Sequence, residues 1–197
     1  MIKLILFDMA GIIHNSLSSS YVDFLSDISG KSRDEVIGII KPIIMDLSIA
    51  TIGLPEAERL IATGLKIKET DVQFLSFYKG NLKVDKSVVA LIRSLRQNYK
   101  IGTLTNNEEN RFSYALNIIG NNLFDFPFSS SRLHFRKPDS KIFELVYQKT
   151  NIPPDEILYI DDDEKNLVVA RELGFKTIKF ESVEKLKRDM ISIGIKV

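Results

Sequence analysis

Hydrophobic and polar positions follow two different periodicities along the chain. Four short, largely apolar runs predict buried strands, at residues 3–7, 100–104, 156–160 and 176–180. Between the later runs, apolar residues recur every three or four positions, which is typical of one face of a helix. One such set is Val88, Leu91, Ile92 and Leu95. Because strands alternate with helices, the pattern predicts an α/β fold, a doubly wound parallel sheet with helices on its faces.

Residues 16–82 have a different pattern, with no run that predicts a strand. One helical stripe comprises Tyr21, Phe24, Leu25 and Ile28. Three further amphipathic segments lie near residues 36–44, 56–61 and 72–78. The sequence therefore predicts a small all-helical cap at 16–82, inserted after the first strand of a core that comprises 1–15 and 83–197.

Polar residues end three of the four predicted strands. These are Asp8, then the sequence Thr105-Asn106-Asn107, then the sequence Asp161-Asp162-Asp163. In open parallel sheets, ligands bind beyond the carboxyl ends of the strands. We therefore expect these segments to converge on one site although they are far apart in sequence.

Composition narrows the class of protein. Hydrophobic residues make up 44% of the chain and charged residues 27%, which is typical of a globular domain with a core. A formal net charge of +1 provides no broad basic surface for nucleic acid. The absence of cysteine excludes disulfides, thiolate zinc sites and a cysteine nucleophile. No segment has the pattern of a targeting signal or membrane span, so we expect a cytoplasmic protein with neither nucleic-acid nor membrane partners. Its oligomeric state stays open.

The carboxylates suggest metal-dependent chemistry. Asp8 is a nucleophile or metal ligand, or else a turn residue after a strand. Adjacent carboxylates at Asp161, Asp162 and Asp163 repel one another unless a cation compensates, and hard oxygen donors suit Mg²⁺. The alternative for this run is that Asp163 caps the next helix and the other two are solvated.

Two further positions suit an anionic substrate. The Thr105 hydroxyl, with the amides that follow it, can hold an oxyanion, or Thr105 can cap a helix. Lys137 can neutralise phosphate charge, or it can be an exposed lysine before the helix that Pro138 and Asp139 begin. His14 and His134 are acid–base candidates or bystanders.

Together, the segments FDMAG, TLTNN, FRKPDSKIFE and YIDDDEKNLVVARELGF resemble, in order, the four motifs of the haloacid dehalogenase-like (HAD) superfamily. The resemblance covers the core on both sides of the insertion. The insertion itself matches only by its position and helical character. The resemblance implies a Rossmann-like core with a small cap after the first motif.

The resemblance also implies roles in phosphoryl transfer. Asp8 corresponds to the nucleophile that forms an aspartyl-phosphate intermediate. Thr105, with the amide of Asn106 beside it, corresponds to the group that binds the transferring phosphoryl. Lys137 corresponds to the lysine that orients the nucleophile and balances charge. The expected substrate is a small phosphorylated metabolite.

A magnesium site is implied in the same way. Asp162 corresponds to the acidic Mg²⁺ ligand, with Asp161 beside it and Asn166 supporting. Asp8 and the backbone carbonyl of Ala10 complete the expected set of ligands.

Ala10 departs from the pattern of the family's phosphatases, which usually have an acid–base aspartate at this position. Positioned acid–base catalysis contributes roughly 10²–10⁴-fold. Its loss slows hydrolysis of alkyl phosphates without preventing phosphate or Mg²⁺ binding, and good leaving groups suffer least. Ile12 and Asn15 are milder departures.

Four functions therefore compete. The first is a Mg²⁺-dependent phosphatase with an altered acid–base step. A dehalogenase also lacks the second aspartate, but it needs no metal and three clustered acids disfavour halide release. A phosphonate-cleaving enzyme matches D-x-A-G and would need a Schiff-base lysine from the cap, whose candidates are Lys31, Lys41, Lys66 and Lys68. The last is a catalytically weak binding or regulatory protein.

Overall fold

A five-stranded parallel sheet forms the centre of the protein in a computed structural model, which describes residues 1–197. The strand order is β3-β2-β1-β4-β5. The strands are β1 (Leu4–Phe7), β2 (Lys100–Thr105), β3 (Phe126–Ser129), β4 (Ile157–Asp161) and β5 (Lys176–Lys179). The central strand β1 is wholly buried and pairs with β2 and β4. The carboxyl ends of these three strands therefore meet at one edge.

Eleven α-helices accompany the sheet. Five lie between β1 and the sixth helix: α1 (Ser18–Ser29), α2 (Arg33–Ser48), α3 (Leu54–Leu65), α4 (Glu69–Val72) and α5 (Phe74–Asn81). The others are α6 (Lys86–Leu95), α7 (Glu109–Ile119), α8 (Ser130–Leu133), α9 (Ser140–Thr150), α10 (Glu164–Glu172) and α11 (Val183–Ser192). None of them combines the length and apolarity that crossing a bilayer requires.

The two faces of the sheet have separate hydrophobic cores. Ile5 and Phe7 of β1 pack in a cluster with residues of α6, α7 and α11, whereas Leu4 and Leu6 pack in another with residues of α9 and α10. Successive residues of a strand point to opposite faces, so a strand buried on both sides is a continuous apolar run. This arrangement confirms the predicted doubly wound α/β fold.

The edge strand β3 was not predicted. Its sequence is FPFS, and Pro127 lacks the backbone N–H that a residue of a central strand donates to a neighbouring strand. At the edge of the sheet this loss is tolerated, and Pro127 pairs with Thr103 of β2. The four predicted strands are all present within one residue of their expected bounds.

The helical insertion has a core of its own. Residues of α1 to α4 and Phe74 of α5 form a hydrophobic cluster distinct from the two at the sheet. The helix predicted near 72–78 is in fact α4 and α5, which are separated at Gln73, where the backbone is left-handed at φ 49°. The division into a cap at 16–82 and a core stays a prediction.

The two chain segments that join the insertion to the sheet are tied together. The Asn15 amide donates to the Lys83 carbonyl at 3.0 Å, and the Lys83 amide donates to Asn15 Oδ1 at 2.7 Å. The Asp85 amide donates to the Ile13 carbonyl at 2.8 Å. These bonds fix the segment that follows Asp8 against the start of α6.

His14 is buried at this junction as a neutral ring. Nδ1 lies 2.9 Å from the Asn15 carbonyl, to which it must donate, and Nε2 lies 3.4 Å from the Tyr78 hydroxyl. Burial lowers the pKa of His14 from 6.5 to about 4. In the unfolded chain the ring takes up a proton at higher pH, so this histidine makes folding less favourable as pH falls through that window.

We expect acidification from pH 7 to pH 4 to lower the free energy of unfolding through His14 by roughly 3 kcal/mol. Urea denaturation of the native chain and of His14→Gln across this range measures the effect. The unfolding free energy of the native chain, taken relative to that of the variant, should fall by that amount. Parallel pH profiles for the two proteins would contradict the assignment.

Candidate active site

A polar cleft at the carboxyl edge of the sheet brings together the predicted nucleophile, phosphate-binding residues and metal ligands. Asp8 follows β1 directly, Thr105 ends β2 and Asp161 ends β4. Because Phe7 is in register with Ile160, Asp8 and Asp161 lie side by side. The cleft has a volume of about 280 Å³ and is lined by Asp8, Ala10, Ser16, Thr105, Asn106, Lys137, Asp161, Asp162, Asp163 and Asn166.

Lys137 links the two central carboxylates. Its Nζ lies 3.0 Å from Asp8 Oδ1 and 2.7 Å from Asp161 Oδ2. The first contact is an ion pair rather than a well-aligned hydrogen bond, because Asp8 Oδ1 has no hydrogen-bond partner of good geometry. Nζ also donates to the Tyr159 hydroxyl at 2.8 Å. All four side chains are almost inaccessible to solvent, so these charges act on one another with little screening.

Their surroundings shift the pKa values of Asp8 and Asp161 in opposite directions. Burial raises the pKa of Asp8 to about 6, because desolvation outweighs the attraction of Lys137. Burial also favours a neutral Asp161, but Lys137 and hydrogen bonds from Tyr159 and the Asp163 amide outweigh it and hold the Asp161 pKa below its usual value. For Lys137, the same two carboxylates outweigh desolvation and raise its pKa. The lysine therefore stays charged.

Asn106 positions Lys137. Its Nδ2 donates to the Lys137 carbonyl at 2.9 Å, and the Lys137 amide donates to Asn106 Oδ1 at 2.8 Å. This paired contact joins the loop after β2 to the loop before α9. The side chain of Asn106 is thus engaged with the backbone of Lys137, while Thr105, also buried, lines the cleft beside it.

The clustered acids suit a hard cation. One oxygen from each of Asp8, Asp161 and Asp162 lies within 4.8 Å of the others. Both oxygens of Asp161 accept hydrogen bonds: Oδ1 from the Asp163 amide, Oδ2 from Lys137, Tyr159 and Asn166. Asp162 is exposed to the cleft. Oxygen donors of this kind fit Mg²⁺, which takes one or two carboxylates and keeps other positions for water or phosphate.

Gly11 makes room for Asp162. A Cβ on Gly11 would lie 2.4 Å from Asp162 Oδ2, and the glycine has a φ of +87°. The left-handed backbone favours glycine, and a Cβ at this position would displace the Asp162 carboxylate. The turn after Asp8 is therefore shaped around the exposed carboxylate.

The helix starts around the cleft follow ordinary capping. Asp163 accepts from the Lys165 amide at the start of α10, and Asp139 accepts from the Lys141 amide at the start of α9, as predicted. The helix after β2 is capped by Glu108, so the alternative assignment of Thr105 as a cap is wrong.

Neither of the two histidines nor residue 10 supplies the cleft with a proton donor for a leaving group. Neither histidine lines the cleft. His14 is buried at the junction, and exposed His134 has Nδ1 3.0 Å from the Ile49 carbonyl. Ala10 lines the cleft with only a methyl group.

Sequence reasoning missed Tyr159 and Ser16. Tyr159 is fully buried in β4, and its hydroxyl donates to Asp161 Oδ2. A tyrosine within a buried strand, two residues before a predicted ligand, is a usable signal because buried hydroxyls need partners. Ser16 follows the turn and lacks a comparable signal.

Comparisons with known proteins point to one family. The family model of haloacid dehalogenase-like hydrolases matches residues 5–180. A D-ribitol-5-phosphate phosphatase from Bacteroides thetaiotaomicron is 29% identical over 125 residues, which are 60% of this chain and 59% of that protein. Of the first curated relatives that it matches, the chain spans 12% to 59% of the length.

Solved structures share the fold. A HAD family enzyme from Bacteroides thetaiotaomicron, in complex with magnesium and inorganic phosphate, has a TM-score of 0.82, with 21% identity over 94% of this chain and 99% of that chain. The L-2-haloacid dehalogenase from Xanthobacter autotrophicus has a TM-score of 0.65, with 18% identity over 100% of this chain and 85% of that chain.

Proposed function

The chain belongs to the haloacid dehalogenase-like hydrolases, and we propose that it is a Mg²⁺-dependent phosphatase of a small phosphorylated metabolite, with Asp8 as nucleophile. The observation that carries this proposal is the buried ion cluster of Asp8, Lys137 and Asp161 beside the exposed Asp162 in one cleft. The magnesium and phosphate bound by the structural neighbour support it, as does the phosphatase among the relatives.

The proposed reaction has two steps. In the first, a carboxylate oxygen of Asp8 attacks phosphorus, and the bond from phosphorus to the leaving-group oxygen breaks with its electron pair on that oxygen. In the second, a water oxygen attacks phosphorus of the aspartyl-phosphate, and the bond from phosphorus to the Asp8 oxygen breaks with its electron pair on Asp8. The protons of the water leave with the inorganic phosphate. Two smaller barriers replace one difficult displacement.

The residues of the cleft supply position and charge. Lys137 holds Asp8 and offsets negative charge, while the Thr105 hydroxyl and the backbone amide of Asn106 hold the oxygens of the phosphoryl group. Asp8, Asp162 and the carbonyl of Ala10 would hold Mg²⁺, with Asp161 and Asn166 behind them. When bound, the ion neutralises phosphate charge, which is the main requirement of phosphoryl transfer.

Ala10 limits the range of leaving groups. No carboxylic acid at this position protonates the departing oxygen, so the leaving group departs with its charge. Acyl, aryl and anomeric phosphates tolerate this better than alkyl phosphates. We propose that the protein acts on phosphates of the first kind.

Ala10→Asp tests the missing acid. We expect this variant to hydrolyse alkyl phosphates about 10-fold faster, a part of what a fully positioned acid contributes. Acetyl phosphate should change little, because its leaving group needs no proton. Steady-state phosphate release from an alkyl phosphate and from acetyl phosphate measures the change. Equal acceleration of the two, or none, would count against an absent acid at residue 10.

A substrate panel tests the function as a whole. Phosphate release from acetyl phosphate, para-nitrophenyl phosphate, a sugar 1-phosphate and a sugar 6-phosphate is measured with and without Mg²⁺. We expect Mg²⁺-dependent release that is strongest for acetyl and para-nitrophenyl phosphate. No phosphate release from any of these compounds would favour the binding or regulatory alternative.

The other two alternatives have less support. The acidic cleft disfavours halide release, and likeness to the dehalogenase extends to the fold alone. Phosphonate cleavage needs a lysine amine at the substrate, yet Lys137 is the only lysine that lines the cleft and it is committed to two carboxylates. None of the four lysines considered in the insertion lines the cleft.

A further inference from the structure

A larger cavity lies between the helical insertion and the sheet domain. Its volume is about 440 Å³, and most of its lining is hydrophobic, including Tyr21, Ile40, Ile44 and Phe77. No aspartate or glutamate lines it. Four cationic side chains do, namely Arg33, Lys41, Arg111 and Arg136. We call this space the basic cavity.

Arg111 is the most constrained of these cations. It lies on α7, six residues after Thr105, and its guanidinium carbon packs 4.9 Å from the Phe74 ring centre and 4.3 Å from that of Tyr78. Its Nε is buried without a hydrogen-bond partner, and no carboxylate forms an ion pair with it. Burial lowers the Arg111 pKa. The buried Glu108 carboxylate attracts the guanidinium without forming an ion pair with it. A buried cation whose donors have no hydrogen-bonded carboxylate is unfavourable, so these donors suit a bound anion.

Arg136 repeats this situation beside the catalytic lysine. Its Nε is also buried without a hydrogen-bond partner, and burial lowers its pKa. The exposed Arg33, in contrast, pairs with Asp23. Two arginines of the basic cavity thus retain donors that nothing in the protein uses.

The basic cavity adjoins the catalytic cleft. A small cavity of about 30 Å³ shares Asn106 with the cleft, and it shares Ile44, Phe74 and Arg111 with the basic cavity. Adjacent residues also line the two spaces, Ser16 in the cleft and Leu17 in the basic cavity. The two spaces therefore lie next to each other.

We propose that the basic cavity selects phosphate esters whose leaving group carries a second anionic group on a largely apolar body. Arg111 binds that second group, carboxylate or phosphate, with Arg136 beside it, and the apolar body packs against Tyr21, Ile44 and Phe77. This inference rests on the phosphatase function proposed above, because it places the leaving group of the same ester.

A matched pair of ligands tests the proposal. The compounds 4-(carboxymethyl)phenyl phosphate and 4-(carbamoylmethyl)phenyl phosphate differ in charge, and the methylene spacer keeps their leaving groups similar. Calorimetry on the Asp8→Asn protein with Mg²⁺ measures binding without turnover. We expect the carboxylate to bind roughly 10- to 100-fold more tightly, the value of a hydrogen bond to a charged group.

Variants in the Asp8→Asn background assign the preference. Arg111→Gln should bring the two affinities within about twofold, whereas Arg111→Lys should retain part of the preference because it keeps the charge. Arg93→Gln, an exposed arginine on α6, should retain all of it. If circular dichroism shows that Arg111→Gln is unfolded, Arg136→Gln takes its place and must reduce the preference. A third ligand, 4-(phosphonomethyl)phenyl phosphate, distinguishes the phosphate-like anion from the carboxylate by its affinity.

Equal affinities of the charged and neutral esters for the native basic cavity would overturn the proposal, and so would a preference that survives loss of both arginines. Turnover by the wild-type chain separates this result from the proposed function. If both esters bind equally and are hydrolysed at equal kcat/KM, the proposed selection by the basic cavity is wrong and the phosphatase function stands. If binding depends on the arginines but no phosphate is released, the selection by the basic cavity stands and the phosphatase function is wrong.

Discussion

Replacing Asp8 with asparagine is expected to reduce phosphate release by at least about 10³-fold. The amide is a poor nucleophile, and the remaining cleft cannot form the acyl phosphate through which the proposed reaction passes. The fold should survive, since asparagine has the same shape and needs no desolvation of a charge. Lys137 keeps its ion pair with Asp161 at 2.7 Å. Phosphate release from acetyl phosphate measures the first effect, and urea denaturation the second.

An exposed carboxylate at the same edge provides the control. Asp163→Asn changes a helix-capping residue that lines the cleft without belonging to the three-carboxylate cluster. Asparagine also caps helices well, so this variant should retain most of the activity. Full activity in Asp8→Asn would exclude the assigned nucleophile.

Replacing Lys137 with methionine should lower the free energy of unfolding by about 3–5 kcal/mol at pH 7. The ammonium pairs with both Asp8 and Asp161, and the two carboxylates would remain buried without it. Their mutual repulsion adds to the desolvation of each charge. Urea denaturation at pH 7 measures the loss.

The pH dependence of this loss identifies its cause. Lys137 holds the Asp161 pKa below its usual value in the native chain; without it, burial raises that pKa. The folded variant then takes up protons as pH falls from 7, so the stability gap between variant and native chain should narrow towards pH 4. Lys185→Met, at an exposed lysine that pairs with Glu181 and Asp189, should leave the denaturation midpoint unchanged. A loss of stability that is the same for both variants, or independent of pH, would contradict the buried ion cluster.

The sequence predicts the centre of the sheet well because β1, β2 and β4 are buried along nearly their whole length. Strands buried on both faces are continuous apolar runs. The edge strand β5 is also predicted, although it is mostly exposed. β3 escapes because FPFS is short and contains proline, a residue that only an edge position accepts. The break at Gln73 between α4 and α5 has no glycine or proline to signal it.

The candidate site is predictable to the extent that it consists of strand ends. Parallel strands deliver their carboxyl ends to one edge, and the predicted nucleophile, phosphate-binding residues and metal ligands line the cleft there. Adjacent aspartates look alike in the sequence, however. Register with β1 and the position of Lys137 decide that Asp161 is buried and Asp162 exposed. The pairing of Tyr159 with Asp161 and the unpaired arginines of the basic cavity depend on contacts between distant segments, which no local pattern encodes.

The most direct measurement is identification of the phosphorylated residue. The wild-type chain is mixed with acetyl phosphate and Mg²⁺, quenched during turnover and reduced with borohydride, which converts an aspartyl-phosphate to homoserine. Mass spectrometry of the peptides then locates the converted residue. We predict homoserine at residue 8 in the wild-type chain and no conversion in Asp8→Asn. Turnover of acetyl phosphate with no homoserine at residue 8, or with homoserine at another aspartate, would contradict Asp8 as the nucleophile.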